Sequence, residues 1–213
     1  MKTVRLYIRR TDENGNDVGY QTYEIPTEPK DTVLQALQYI YSAVDSTLAF
    51  RYSCRFQGCG LCGVRVSGQS RLACLTPLQD GMRIEPLNNL PVIRDLVIDR
   101  RPLFDKLQSL KLFPIAQGKI ERSPDYLPMY YKLSSCLECL CCHSDCAVVG
   151  DGTAFAGPFV MVKLAQMHFH PQDRYDRRRQ ARDLGIERLL GSQDCLCPYG
   201  INIPQDVVSP LLA

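Results

Sequence analysis

The residues most able to do chemistry in this chain are its eleven cysteines, which are clustered and odd in number. The densest group is Cys136-Leu-Glu-Cys139-Leu-Cys141-Cys142-His-Ser-Asp-Cys146, with the spacing C-x2-C-x2-C-x3-C. That spacing suits an iron–sulfur cubane: three thiolates on one tight turn hold three irons, and the fourth iron needs a ligand from elsewhere. A second group, Cys54-Arg-Phe-Gln-Gly-Cys59-Gly-Leu-Cys62, is spaced C-x4-C-x2-C, and Cys74 follows after a gap of eleven residues. Four thiolates so arranged can give two to each iron of a [2Fe–2S] diamond. Gly58, Gly60 and Gly63 fit a loop wrapped closely around sulfides, because they permit positive φ and bring backbone N–H groups to the sulfurs. A four-cysteine zinc site is the competing reading. Such sites favour paired C-x2-C knuckles over a glycine-laced x4 loop.

The missing cubane ligand is expected at Cys197. It stands in Cys195-Leu-Cys197-Pro198-Tyr-Gly200, where proline fixes the chain leaving a cluster and glycine allows a tight exit. Cys136, Cys139, Cys142 and Cys197 are therefore expected to bind a [4Fe–4S] cluster. Cys141 falls between two such ligands and is read as a packed thiol. Cys146 and Cys195 are left over, as uncertain extra ligands. His143, His168 and His170 are read as ordinary histidines and not as metal ligands.

Elements to position these loops are legible on either side. Val4–Ile8 alternates apolar and polar residues as a half-buried strand does. Asn14-Gly15 marks a hairpin turn, and Tyr20–Ile25 returns as a strand ending at Pro26. Asp31 reads as an N-cap for a helix whose apolar face is Val33, Leu34, Leu37, Ile40, Tyr41 and Val44. Val64–Val66, a strand bearing Cys74 and Met82–Pro86 complete the sheet. A hairpin followed by a packed helix predicts a ubiquitin-like β-grasp. Four prolines punctuate residues 101–131, which read as an interdomain connection. Beyond it the patterning is helical, with helices over Phe159–His168, started by Pro158, and over Asp173–Leu184, ended by Gly185. The fold class is thus α+β, with a β-grasp domain over 1–100 and an all-α domain over 132–213. Arg174, Arg177, Arg178, Arg179 and Arg182 make a basic face expected to be solvated or docked on a partner.

The formal charge of +2 gives no reason to expect nucleic acid or an anionic membrane as partner. The chain opens without the apolar core of a signal peptide and carries no apolar run long enough to span a bilayer. Clustered cysteines then point to a reducing, cytoplasmic compartment and to metal ligation. No dinucleotide fingerprint, phosphate loop or nucleophile–base pair is present. The pattern is that of a one-electron carrier whose organic chemistry lies on another chain.

The C-R-x-G-x-C-G-x-C order nearly matched at Cys54–Cys62, the short gap to Cys74 and the second cysteine run resemble the iron–sulfur subunits of succinate dehydrogenase and fumarate reductase, and the resemblance implies that Pro91–Asp99 is a linker helix. The resemblance implies that the second domain is an α-helical ferredoxin module whose cubane is completed by a cysteine followed by Pro-x-Gly. It implies a FAD-containing flavoprotein subunit that interconverts fumarate and succinate or a related unsaturated acid. It implies as well a second redox partner, either a quinone-binding membrane anchor or a soluble carrier, with attachment to the cytoplasmic side of a membrane through a partner. Family members carry a third cluster, [3Fe–4S], whose further ligands are spaced C-x5-C-x3-C-P. Here those places hold Glu187 and Gln193, and Cys195 is off that register. A [3Fe–4S] cluster is therefore not expected. Two alternatives remain beside the quinone-linked complex: a soluble thiol/disulfide- or ferredoxin-linked flavoprotein reductase, and a docking subunit with only the [2Fe–2S] cluster active.

Overall fold

The computed structural model describes residues 2–54, 56–115, 127–150 and 155–213, which divide into two compact units. Arg55 of the first cysteine motif and residues 116–126 of the expected connection lie outside the described residues. The first unit contains the chain up to Arg100 together with Leu137–Cys141, and the second contains Arg101–Cys136 and Cys142–Ala213.

In the first unit, β1 (Lys2–Thr11) and β2 (Asp17–Thr27) pair as an antiparallel hairpin. The sheet is completed by β3 (Gly63–Val66), β4 (Gln69–Leu72) and β5 (Arg83–Glu85) in the order β2-β1-β5-β3-β4, with β5 parallel to β1. Alternation puts Val4, Leu6 and Ile8 in the core, where Tyr23 and Ile25 join them from β2. Each such side chain contributes about 1.5–3 kcal/mol by leaving water. β2 does not stop at Pro26. It is an edge strand, where a residue lacking an N–H is tolerated, and it runs on to Thr27.

Helix α1 (Val33–Tyr39) lies on this sheet through Val33, Leu34, Ala36 and Leu37. Its cap is Thr32 and not Asp31. The Thr32 hydroxyl accepts from Gln35 N while the Gln35 side chain accepts from Thr32 N, a reciprocal capping box. Asp31 instead accepts from the Glu28 N–H at 2.7 Å. After Tyr39 the helix widens into a π-turn, Ile40–Val44, closed by Asp45 N–H to the Ile40 carbonyl at 2.7 Å. The extra residue rotates the end of the helix, so Tyr41 and Val44, expected on the apolar face, are exposed.

The linker helix expected at Pro91–Asp99 is a small hairpin, β6 (Val92–Arg94) with β7 (Val97–Ile98). Its turn residue, Asp95, is fully buried and explains the change. Its carboxylate accepts from Thr11 N and Ala49 N, both at 2.8 Å, and its φ of 47° lies outside the right-handed helical range. Arg10 answers it with Nε at 3.2 Å, and reaches Asp45 with Nη1 at 2.6 Å and Thr47 with Nη2 at 2.8 Å. Arg10→Leu is expected to cost about 3–5 kcal/mol in urea unfolding, because a buried carboxylate loses its cation. Thr47, Tyr23 and Arg10 also hold Asp45 well below the usual carboxylate range. A carboxylate depressed in the folded state stabilises above its unfolded value of about 3.9 and loses that contribution as pH falls. The acid limb of the stability profile below about pH 4 should therefore flatten in the Arg10 variant.

The second unit is helical. Its centre is α5, the fifth helix in chain order (Pro158–His168), buried along most of its length from Phe159 to Ala165. The order is α2 (Arg101–Ser109), α3 (Leu127–Ser134), α4 (Cys141–Asp145, whose first residue groups with the first unit), α5, α6 (Arg177–Asp183) and α7 (Ser209–Leu212). Residues 101–131, expected as a connection, are packed into this unit where described: Leu103 is buried and the Phe104 ring lies 5.9 Å from that of Phe159. Helix α6 starts at Arg177 and not at Asp173, because Asp173 turns inward to hold the Arg177 guanidinium at 2.6 Å. The basic face is therefore not simply solvated. Arg177 is buried and also donates to the Lys111 and Phe113 carbonyls, while Arg178 and Arg182 donate to the Pro210 and Leu212 carbonyls of α7.

Candidate iron–sulfur centres

The first cysteine loop leaves the helix side of the sheet and re-enters it at β3. The Cys54 sulfur accepts from Gly58 N and Phe56 N, both at 3.4 Å, and the Cys59 sulfur accepts from Leu61 N at 3.5 Å. Those donors, Gly58 first, bring the Cys54 thiol down to about 7, favouring the thiolate that iron binds. Cys74 lies two residues past the end of β4, on a turn and not on the strand itself. The Ala73 N–H to Cys62 carbonyl bond, 2.9 Å, fixes that turn and sets the Cys62 and Cys74 sulfurs 3.4 Å apart. Two thiolates on one tetrahedral metal with bonds of ~2.3 Å stand roughly 3.7 Å apart, so this pair has nearly the spacing of two ligands on one iron. Burial first, and the Cys62 sulfur second, push the Cys74 thiol up to about 12. Two sulfurs forced together in this way suit a cation shared between them.

Of the three glycines, Gly60 alone takes positive φ, at 69°, and it serves a purpose the sequence did not show. A Cβ placed on Gly60 would stand 2.1 Å from the Leu137 carbonyl oxygen and 3.1 Å from Cys139 N. One on Gly63 would stand 2.8 Å from the Cys139 carbonyl oxygen and 3.5 Å from the Cys141 sulfur. The segment Leu137–Cys141 of the second cysteine run thus lies directly on the first cysteine loop. Glu138 and Leu140, on either side of Cys139, both hold positive φ (55° and 66°), a strained backbone that the packing enforces. Arg100, half-buried, donates to the Glu138 carbonyl and stands close enough to Cys139 and Cys59 to feel both charges. Neither Arg100 nor this contact was found from the sequence. The glycines were the one signal, and they were assigned to the approach of a cluster alone.

In the second run, Cys139 is brought down to about 7, first by a hydrogen bond with Cys141. Cys141 is fully buried, as a packed thiol should be. Cys136 follows the end of α3, its N–H bonded to the Leu133 carbonyl at 3.2 Å, and Cys142 is buried on α4. Cys197 repeats the backbone pattern of Cys54 and Cys59: its sulfur accepts from the N–H two residues on, Tyr199, at 3.4 Å. Gly200, at φ 94°, closes the turn. The chain after it is anchored by Asp206, which accepts from Asn202 N at 2.7 Å and pairs with Lys132 at 2.8 Å. Among the described residues no group of three or more cysteines, histidines or carboxylates is placed to hold a single metal ion. The donor chemistry is that of thiolates presented singly or in pairs with N–H groups aimed at sulfur, which fits clusters.

The two leftover cysteines, Cys146 and Cys195, lie side by side, with Cα atoms 4.5 Å apart. Glu187 and Gln193, at the positions where family members carry third-cluster ligands, are both exposed. No helix among the described residues is long and apolar enough to cross a membrane.

Comparison with known proteins agrees with this geometry. Residues 4–105 match the family described as a 2Fe-2S iron-sulfur cluster binding domain. The chain is 36% identical over 91% of its length to a fumarate reductase (CoM/CoB) polypeptide of Methanothermobacter marburgensis, and it spans only 40% of that protein's length. It is 34% identical to a fumarate reductase iron-sulfur subunit of Mycobacterium tuberculosis, covering 86% of this chain and 81% of that one. A chain of the Mycobacterium smegmatis Sdh1 complex in the apo form superposes with a TM-score of 0.85, at 25% identity, covering 98% of this chain and 93% of that one.

Proposed function

Since the chain belongs to the family of succinate dehydrogenase and fumarate reductase iron–sulfur subunits, we propose that it passes single electrons between a flavoprotein subunit and a second redox partner. In this reading Cys54, Cys59, Cys62 and Cys74 hold a [2Fe–2S] cluster, and Cys136, Cys139, Cys142 and Cys197 hold a [4Fe–4S] cluster. A [3Fe–4S] cluster has no place in it. The clusters supply one-electron redox chemistry, and the protein supplies thiolates, N–H donors to sulfur and a buried surround. FAD, and the interconversion of fumarate and succinate or a related unsaturated acid, lie on the flavoprotein.

The observation that carries the reading is the seating of Leu137–Cys141 on Gly60 and Gly63. It brings the backbone around one proposed ligand of the second cluster, Cys139, against the ligand loop of the first, as a wire requires. Arg100, a half-buried cation beside Cys139 and Cys59, favours the reduced, more negative state of whatever those sulfurs hold. The second redox partner is read as a soluble carrier such as a thiol/disulfide couple and not a quinone, on the observation that the places of the third-cluster ligands hold Glu187 and Gln193.

Anaerobic purification of the full-length protein from its native cells tests this. A flavoprotein should accompany it at about one flavin per chain, and fumarate or a related unsaturated acid should re-oxidise the reduced preparation, read from visible absorbance. Recovery without flavin, or a reduced preparation indifferent to every such acid, overturns the proposal.

A further inference from the structure

We propose that Arg100 is a positioning residue serving both ligand loops at once: it holds the Glu138–Cys139 peptide in place and lends one shared cation to the loops of Cys59 and Cys139. The inference rests on the two-cluster reading above and assigns the potentials of both clusters to a single side chain.

The positioning half of the role is geometric. The Arg100 Nη2 donates to the Glu138 carbonyl, one end of the peptide whose other end is the Cys139 N–H. Glu138 and Leu140 take φ of 55° and 66°, so Cys139 stands between two left-handed residues. Non-glycine residues keep such a backbone only where the surroundings over-determine it. Gly60 gives one restraint by lying against the Leu137 carbonyl, and Arg100 gives the next, one peptide further on. Arg100 is itself anchored, because the Asp99 N–H donates to the Pro91 carbonyl at 2.7 Å and closes the β6–β7 hairpin just before it.

The charge is placed to act as well. Arg100, Arg51, Gly60, Leu61, Ile98 and Cys139 line a crevice of about 10 Å³, no larger than the smallest space that holds a water molecule. Solvent therefore screens the guanidinium from Cys139 only weakly. Glu138 attracts the same guanidinium and Arg51 repels it, and the charges of Cys139 and Cys59 reach it from the two loops. Burial, the largest influence, lowers the Arg100 pKa, yet a guanidinium stays charged at any working pH. Arg51 is exposed, so water and salt offset its charge. Reduction adds one negative charge to each cluster, and one cation facing both loops makes each addition easier.

Arg100→Gln and Arg100→Lys, made in the full-length protein and purified anaerobically, separate charge from shape. Potentiometric titration followed by EPR reads each cluster, and iron loss to a chelator reads how firmly the ligands are held. Arg100→Gln should lower the midpoint potentials of the [2Fe–2S] and [4Fe–4S] signals together. It should also weaken iron retention about 10–100-fold, the usual effect of losing an outer-shell partner. Arg100→Lys should restore both potentials. Arg51→Gln, which removes an exposed charge from the same crevice, should move either potential by less than Arg100→Gln does. Unchanged potentials in Arg100→Gln with both signals present overturn the proposal and leave Arg100 a structural latch. A shift confined to one signal overturns the sharing. If Arg100→Gln assembles no cluster, Arg100→Lys decides: both signals at unaltered potentials support the shared cation, and their loss overturns it. Failure of the two-cluster reading shows separately, as about two irons and one signal in the unaltered protein, and it overturns this inference too.

Discussion

Cys59→Ser is expected to leave the protein with about four irons per chain in place of about six, and to abolish electron flow from the flavoprotein side. The loss should exceed the 10–100-fold typical of removing an outer-shell partner of a metal site, because a ligand itself is gone. The Cys59 sulfur accepts from the Leu61 N–H, and the sulfurs of Cys62 and Cys74 stand 3.4 Å from each other. Iron analysis, the [2Fe–2S] EPR signal and flavin-driven reduction of the remaining cluster are the readouts. A variant that keeps full iron and full transfer rate removes Cys59 from the ligand set.

Gly60→Ala should be nearly as damaging by a different route. Its φ of 69° costs an L-residue about 1–2 kcal/mol, and the new Cβ meets the Leu137 oxygen at 2.1 Å. Backbone must move, at a further cost of about 1–3 kcal/mol for overpacking. What moves is the Leu137–Cys141 segment, which carries the proposed cubane ligand Cys139. The expected outcome is a destabilisation of about 2–5 kcal/mol, iron largely retained, and a loss of magnetic coupling and electron transfer between clusters. Gly58→Ala is the control. Its Cβ has nothing closer than the Phe56 oxygen at 3.9 Å and no positive φ, so a change within about 0.5 kcal/mol is expected. Equal effects at the two glycines contradict the role given to Gly60.

The contrast between these glycines shows where the sequence stopped being readable. Cysteine spacing is a chemical pattern, and it pointed to both ligand loops without a structure. Alternation in Val4–Ile8 gave β1 because a half-buried strand imposes a period of two. The Thr32-x-x-Gln35 box was legible too, and choosing Asp31 over it weighed residue type above the reciprocal pattern. Other features depend on contacts far along the chain. Pro91–Asp99 is apolar enough for either a helix or a strand, and the hairpin is selected by Asp95 binding Thr11 and Ala49, 84 and 46 residues away. Arg177 sits among charges that read as a surface, yet Asp173 and the Lys111 and Phe113 carbonyls draw it inside. The seating of Leu137–Cys141 on Gly60 is of the same kind. Local spacing proposes the ligands, and only the fold shows which loop lies on which.

Iron and acid-labile sulfide analysis of the anaerobically purified full-length protein, with EPR of its oxidised and reduced states, tests the central assignment most directly. About six irons per chain, a [2Fe–2S] and a [4Fe–4S] signal on reduction, and no [3Fe–4S] signal on oxidation are expected. About two irons, or a [3Fe–4S] signal in the oxidised protein, contradicts it.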